Sequence, residues 1–98
     1  MVKHIVMWKL KEMANGENKK TNALKMKKIL EALQGVVPGV FKMEVGINYN
    51  PAGFDVALYS EFEDADALEG YKVHPEHKKV QEFVHQVITD RVVADYMV

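Results

Sequence analysis

The sequence contains no cysteine, which excludes disulfides, thiolate metal ligands and a cysteine nucleophile. An excess of charge of one sign is also missing: 13 Lys and Arg stand against 14 Asp and Glu, a formal net charge of -1, which argues against a nucleic-acid partner. No apolar run approaches the roughly 18 residues that a membrane span needs. The opening Met1-Val2-Lys3-His4-Ile5 reads as a strand, with neither the apolar core nor the cleavage site of a signal peptide. Repeats, linkers and low-complexity segments are absent as well. A cytoplasmic protein with no nucleic-acid and no membrane partner is therefore expected, as a single domain over 1–98. A chain of 98 residues buries enough for a core but is marginal alone, so oligomerisation is expected from the outset.

What is present is an ordinary globular composition, 48% hydrophobic and 28% charged. The near-neutral total hides an asymmetry. Nine of the basic and four of the acidic residues lie before Asn50, and four and ten from there on. A solvated basic helix carrying Lys19, Lys20, Lys25, Lys27 and Lys28 accounts for much of this. The alternative is that the two halves face each other across a subunit boundary.

Hydrophobic periodicity gives the elements. Lys3 to Lys11 alternates as a strand, with His4, Val6, Trp8 and Leu10 on one face and Lys3, Ile5, Met7 and Lys9 on the other. Ala14-Asn15-Gly16 is a turn. From Asn18 to Gln34 the period is helical: Ala23, Met26, Leu30 and Leu33 share a face, and Gly35 and Pro38 follow as stop signals. Phe41 to Ile47 and Phe54 to Phe62 read as strands joined through Asn48–Gly53. Acids at Glu63, Asp64 and Asp66 favour a helix start, and a short helix runs through Leu68 and Tyr71. His74-Pro75 breaks it, because the residue before proline is pushed out of the helical region. A further helix spans Pro75 to Ile88 with Val80, Phe83, Val84 and Val87 on its apolar side, and a last strand spans Val92 to Met97.

The fold class is therefore α+β: a ferredoxin-like β-α-β-β-α-β order with the second helix broken in two. One sheet face is left without helices, and Ile5, Met7, Ala57, Tyr59, Val93 and Met97 are placed there. A half-apolar face of this kind wants a partner. A homodimer packed through Ile5, Met7, Tyr59 and Val93 is expected.

Chemistry concentrates in the histidines. His85 falls on the polar side of the last helix. His77 heads its buried stripe and lies in the first turn, where the helix dipole disfavours an imidazolium, although Glu76 is adjacent. Tyr71 precedes the helix break, and His4 shares the strand face that meets the helices. Tyr71, His74, His77 and His4 offer a donor, a base and an orienting partner; alternatively they form a hydrogen-bonded cluster that only locks the turn. No carboxylate is spaced to complete a His4/His74/His77 metal site, so neither a metal nor another cofactor is expected. Met7, Met26, Met43 and Met97 fall at core spacing and read as packing.

Tyr71-Lys-Val-His74-Pro75-Glu-His77, with His4 in an opening His-x-Val-x-x-x-Leu-Lys strand, resembles the stress-responsive A/B barrel (Dabb) family. Val37-Pro38-Gly39-Val40, Val45-Gly46 and Asp95-Tyr96 agree with it in order along nearly the whole chain. The resemblance implies a dimeric α+β barrel, two ferredoxin-like units packed sheet to sheet. It also implies a pocket. In a plant polyketide cyclase of the family the working histidine and tyrosine match His77 and Tyr71, and two further histidines match His4 and His74. A third pocket histidine of the cyclase falls at Val56 here, and its helix aromatics fall at Ala23 and Met26, so its substrate does not transfer. The candidate catalytic pair is His77 and Tyr71, and the candidate pocket is His4, Val6, Trp8, Val56, Leu58 and His74.

Two readings follow. One is a homodimeric, stress-associated or small-molecule-binding protein with no assigned reaction, its ligand small and hydrophobic or carbonyl-containing. The other is a cofactor-free cyclase- or lyase-like enzyme, with His77 taking a proton alpha to a carbonyl and Tyr71 holding the enolate. A third resemblance, to cofactor-free monooxygenases, draws on Trp8 and His4 alone.

Overall fold

A computed structural model describes residues 1–98. The elements are β1 (Val2–Leu10), β2 (Met13–Ala14), β3 (Glu17–Asn18), α1 (Lys19–Glu31), β4 (Val40–Ile47), β5 (Val56–Phe62), α2 (Ala65–Val73), α3 (Pro75–Val87) and β6 (Ile88–Met97). The expected order is found, with a two-strand hairpin, β2–β3, added where a plain turn was read. Four strands form one antiparallel sheet in the order β4-β5-β1-β6. No helix is long and apolar enough to cross a membrane.

The helices begin where the sequence supplies caps. Asn18 accepts from the Thr21 N–H at 2.9 Å to open α1, and Asp64 accepts from the Ala67 N–H at 2.8 Å to open α2. α1 ends at Glu31, three residues before the expected Gln34. Gln34 instead ties the following turns to β4, donating to the Phe41 carbonyl at 3.1 Å and accepting from the Met43 N–H at 3.0 Å. Gly39 then enters β4 with φ +79° and its Cα packed on α2; a Cβ there would stand 2.5 Å from that of Ala67. Both the backbone conformation and the space require glycine, which gives the Val37–Val40 motif a physical reason.

The core lies between the helices and one sheet face. β1 buries Val2, His4, Val6, Trp8 and Leu10, and β5 buries Val56, Leu58, Ser60 and Phe62, the strict alternation of strands covered on one side. Met26, Leu30, Val80, Val84 and Val87 close over them. Phe41 is exposed rather than aligned with Met43 and Val45, because a bulge between Val40 and Lys42 removes it from the alternation.

The last strand departs most from expectation. β6 starts at Ile88, directly after α3, and runs ten residues along β1 instead of beginning at Val92. Its register sets Val93 opposite Val6, Asp95 opposite His4 and Met97 opposite Val2. Directly opposed residues share a face, so Val93 and Met97 lie on the helix side and the assignment of Val93 to an interface on the bare face is corrected. Val92, Ala94 and Tyr96 occupy that face, opposite Met7, Ile5 and Lys3. The error has a simple cause: both alternating sets of β6 are comparably apolar, and a one-residue slip exchanges the faces.

The bare face carries Ile5, Met7, Ala57, Val92 and Ala94 at its centre. At one end Lys3 donates to the Tyr59 hydroxyl at 2.6 Å, and that hydroxyl donates to Glu61 at 2.5 Å. The basic helix is only partly free: Lys19 pairs with Glu12 and Asp55, and Lys27 with Glu31.

Candidate functional site

His4, Tyr71 and His77 converge in the interior, and the local chain explains each position. His74, extended at φ -64° and ψ 136°, ends α2 and caps α3, its Nδ1 accepting from the Glu76 N–H at 3.1 Å. Pro75 opens α3 at its first position. The resulting reversal sets the His77 ring over the Tyr71 ring, with centroids 4.0 Å apart and planes 30° from parallel. Tyr71 meets the Phe62 ring edge-on at 5.0 Å, and His4 lies edge-on to both at 6.1 and 6.2 Å.

The two histidines are held through one nitrogen each. His77 Nδ1 lies 3.4 Å from the Lys72 carbonyl, near the end of α2, where helical carbonyls lack intrahelical partners. A carbonyl only accepts, so Nδ1 carries the proton, and Nε2 of the neutral ring is left as an acceptor without a partner in the chain. His4 Nδ1 likewise donates to the Asp95 carboxylate across the β1–β6 pair. Ser60 donates to the His4 carbonyl at 2.6 Å and fixes the strand beneath it.

Burial is the main influence on all three groups. It holds the His77 imidazole below its ordinary value of 6.5, with the nearby His4 and Arg91 adding to the effect and the Lys72 carbonyl opposing it. It lowers His4 too, against the opposing Asp95 carboxylate. It pushes the Tyr71 phenol upward, only partly offset by Arg91. Near neutral pH the site therefore presents two uncharged imidazoles and a phenol that keeps its proton.

A partly enclosed cavity of about 310 Å³ adjoins these groups. His4, Val6 and Trp8 of β1 and Leu58 of β5 form its floor, and Tyr71 and His77 with Val80 and Val84 of α3 form its roof. Of the residues expected in the pocket, His4, Val6, Trp8 and Leu58 line it. Val56 does not: it is fully buried beside Trp8 in the sheet and packs in the core. His74 does not either, because its ring is spent on capping α3. The expected hydrogen-bonded cluster is replaced by a ring stack, since Tyr71 and His77 touch face to face. No three His, Asp or Glu side chains are grouped so as to hold a metal ion.

Sequence reasoning missed the β6 contribution. Arg91, Val93 and Asp95 line the cavity, as do Lys72, Gln81 and the exposed His85 at its rim. Arg91 falls between the expected end of the last helix at Ile88 and the expected start of the last strand at Val92, so the sequence pattern gives it no face. Asp95 is a single acid within an otherwise apolar Val92–Met97 run, and its partner His4 is set by the register of β6 on β1.

The stress responsive A/B barrel domain family model matches residues 2–98. No match is found among curated protein sequences. Among solved structures, a dimeric protein of unknown function and ferredoxin-like fold from Bacteroides fragilis is 36% identical, with a TM-score of 0.88 over 99% of this chain and 95% of that one. A Dabb family protein with a ferredoxin-like fold from Mesorhizobium loti is 24% identical, with a TM-score of 0.74 over 99% and 95%. The hydroxynitrile lyase from Passiflora edulis is 20% identical, with a TM-score of 0.81 over 99% and 92%, a likeness of fold. The chain belongs to the stress responsive A/B barrel domain family.

Proposed function

We propose that this A/B barrel protein is a homodimer that binds a small, largely apolar, carbonyl-containing ligand in the cavity between His4, Tyr71 and His77. One observation carries the ligand reading. A cavity of about 310 Å³, at the lower end of the size range of small-molecule sites, is walled by aliphatic side chains and edged by polar groups without partners in the chain. The Tyr71 hydroxyl is the donor for a carbonyl oxygen, and His77 Nε2 is the acceptor for a ligand hydroxyl. No cofactor is invoked.

The dimer reading rests on the bare sheet face, where Ile5, Met7, Ala57, Val92 and Ala94 form an apolar centre. The 36%-identical Bacteroides fragilis protein is described as dimeric. Two such sheets stacked face to face, about 10 Å apart, form the barrel.

The ligand reading is tested with acetophenone as probe. It is expected to raise the melting temperature of the wild-type dimer in a saturable manner, and to do so less in Tyr71→Phe, which lacks the donor for the ketone oxygen. An undiminished stabilisation of Tyr71→Phe contradicts the reading.

The bare His77 Nε2 favours a second reading, proton abstraction next to a carbonyl. Its neutral ring and tied Nδ1 suit a general base, and Tyr71 is placed to hold the enolate oxygen. Exchange of the acetophenone methyl protons in D₂O, faster with wild type than with His77→Ala, supports it. Equal rates leave the protein a binder.

A further inference from the structure

Arg91 reaches the cavity from β6, directly opposite Trp8 in the β1–β6 register. No carboxylate lies within ion-pairing distance of its guanidinium. The neighbouring Asp90 side chain accepts from the Arg91 backbone N–H at 2.8 Å, and Asp95 is taken by His4. Lys72, the other cation at the rim, pairs with Glu69 at 3.2 Å. The cavity thus has one uncommitted cation. Its field reaches all three rings, acting on His4, Tyr71 and His77 alike.

A neutral group points the same way. The Tyr71 hydroxyl, which has no partner in the chain, belongs to the same lining and is a donor that a ligand oxygen would satisfy. The Asp95 carboxylate in the lining is engaged by the His4 N–H, so the guanidinium is the charged group there without a side-chain partner, and its fork of N–H groups matches a carboxylate in geometry.

We infer that the cavity selects an apolar monocarboxylate, its carboxylate held by the Arg91 guanidinium and its body packed on Leu58, Val80 and Val84. This inference rests on the reading of the cavity as a ligand site and names the class of ligand.

Benzoate and benzamide test it, because they share a shape and differ in charge. Calorimetric titration of the wild-type dimer at low salt is expected to show benzoate binding at least tenfold more tightly than benzamide. Arg91→Gln removes that advantage; Lys72→Gln retains it. Added salt weakens benzoate and not benzamide. Equal affinities in the wild type, or an advantage that survives in Arg91→Gln, overturn the inference while the cavity reading stands. Failure of both probes to bind overturns the cavity reading and the inference together.

Discussion

His4 and Asp95, from opposite ends of the chain, face each other across the β1–β6 pair, and the imidazole Nδ1–H donates to the carboxylate. The bond joins the first and last strands of the sheet and fixes which His4 nitrogen faces away from Asp95. Asp95 also opposes the effect of burial on His4.

Asp95→Asn is expected to move the His4 titration midpoint further down, because the influence that raises it is removed. Hydrogen bonds to charged groups contribute about 1.5–3 kcal/mol. With the Asp95 side chain 36% exposed, screening reduces this to about 1 kcal/mol. Imidazole NMR titration reads the first effect and urea unfolding the second. An unchanged His4 midpoint contradicts the assignment of Asp95 as its partner.

Tyr71 separates ring from hydroxyl. The ring is packed between Phe62 and His77 and buried to 1% exposure, so Tyr71→Ala is expected to cost about 3–5 kcal/mol. The hydroxyl makes no hydrogen bond in the chain, so Tyr71→Phe costs less than about 1 kcal/mol and acts on ligand binding instead. Chemical denaturation of both variants checks the pair. A loss above about 2 kcal/mol in Tyr71→Phe would mean that the hydroxyl is structural.

The two buried histidines set an acid-side dependence. Their folded values lie below the ordinary 6.5, so the unfolded chain binds protons first as pH falls. The histidine contribution is therefore complete above about pH 7.5 and declines as pH drops through 6.5, until the folded-state histidines also protonate. Unfolding free energies from pH 8 to 5 are expected to fall less steeply for His77→Gln than for wild type. Parallel slopes contradict a depressed His77.

The bare sheet face has its own test, one that also checks strand register. Met7→Glu and Val92→Asp place charge on that face and are expected to yield monomers by sedimentation at micromolar concentration. Val93→Asp, pointing to the cavity, leaves the dimer intact. A wild-type chain that is monomeric under these conditions contradicts the barrel.

Legibility of the fold followed the strength of each periodic signal. The alternation expected from Lys3 to Lys11, with His4, Val6, Trp8 and Leu10 on one face, and the helical stripe Ala23-Met26-Leu30 agree with the buried sides of β1 and α1. β6 has no such contrast between its sides, because Val92, Ala94 and Tyr96 on one side and Val93 and Met97 on the other are comparably apolar. Its start and its faces depend on pairing with β1, a long-range property that local pattern does not contain. The site divides in the same way. His77 and Tyr71 were legible because six residues and one proline break determine their meeting. Asp95 and Arg91 were not, because they reach the cavity only through the register of β6. His74 was misplaced because its spacing does not reveal that the ring caps α3.

The most direct measurement is a crystal structure of the dimer grown or soaked with acetophenone. The account predicts sheets stacked through Met7 and Val92, with the ketone oxygen about 3 Å from the Tyr71 hydroxyl and the phenyl ring between Leu58 and Val84. Acetophenone bound elsewhere, or a cavity between His4, Tyr71 and His77 closed by side chains, would contradict it.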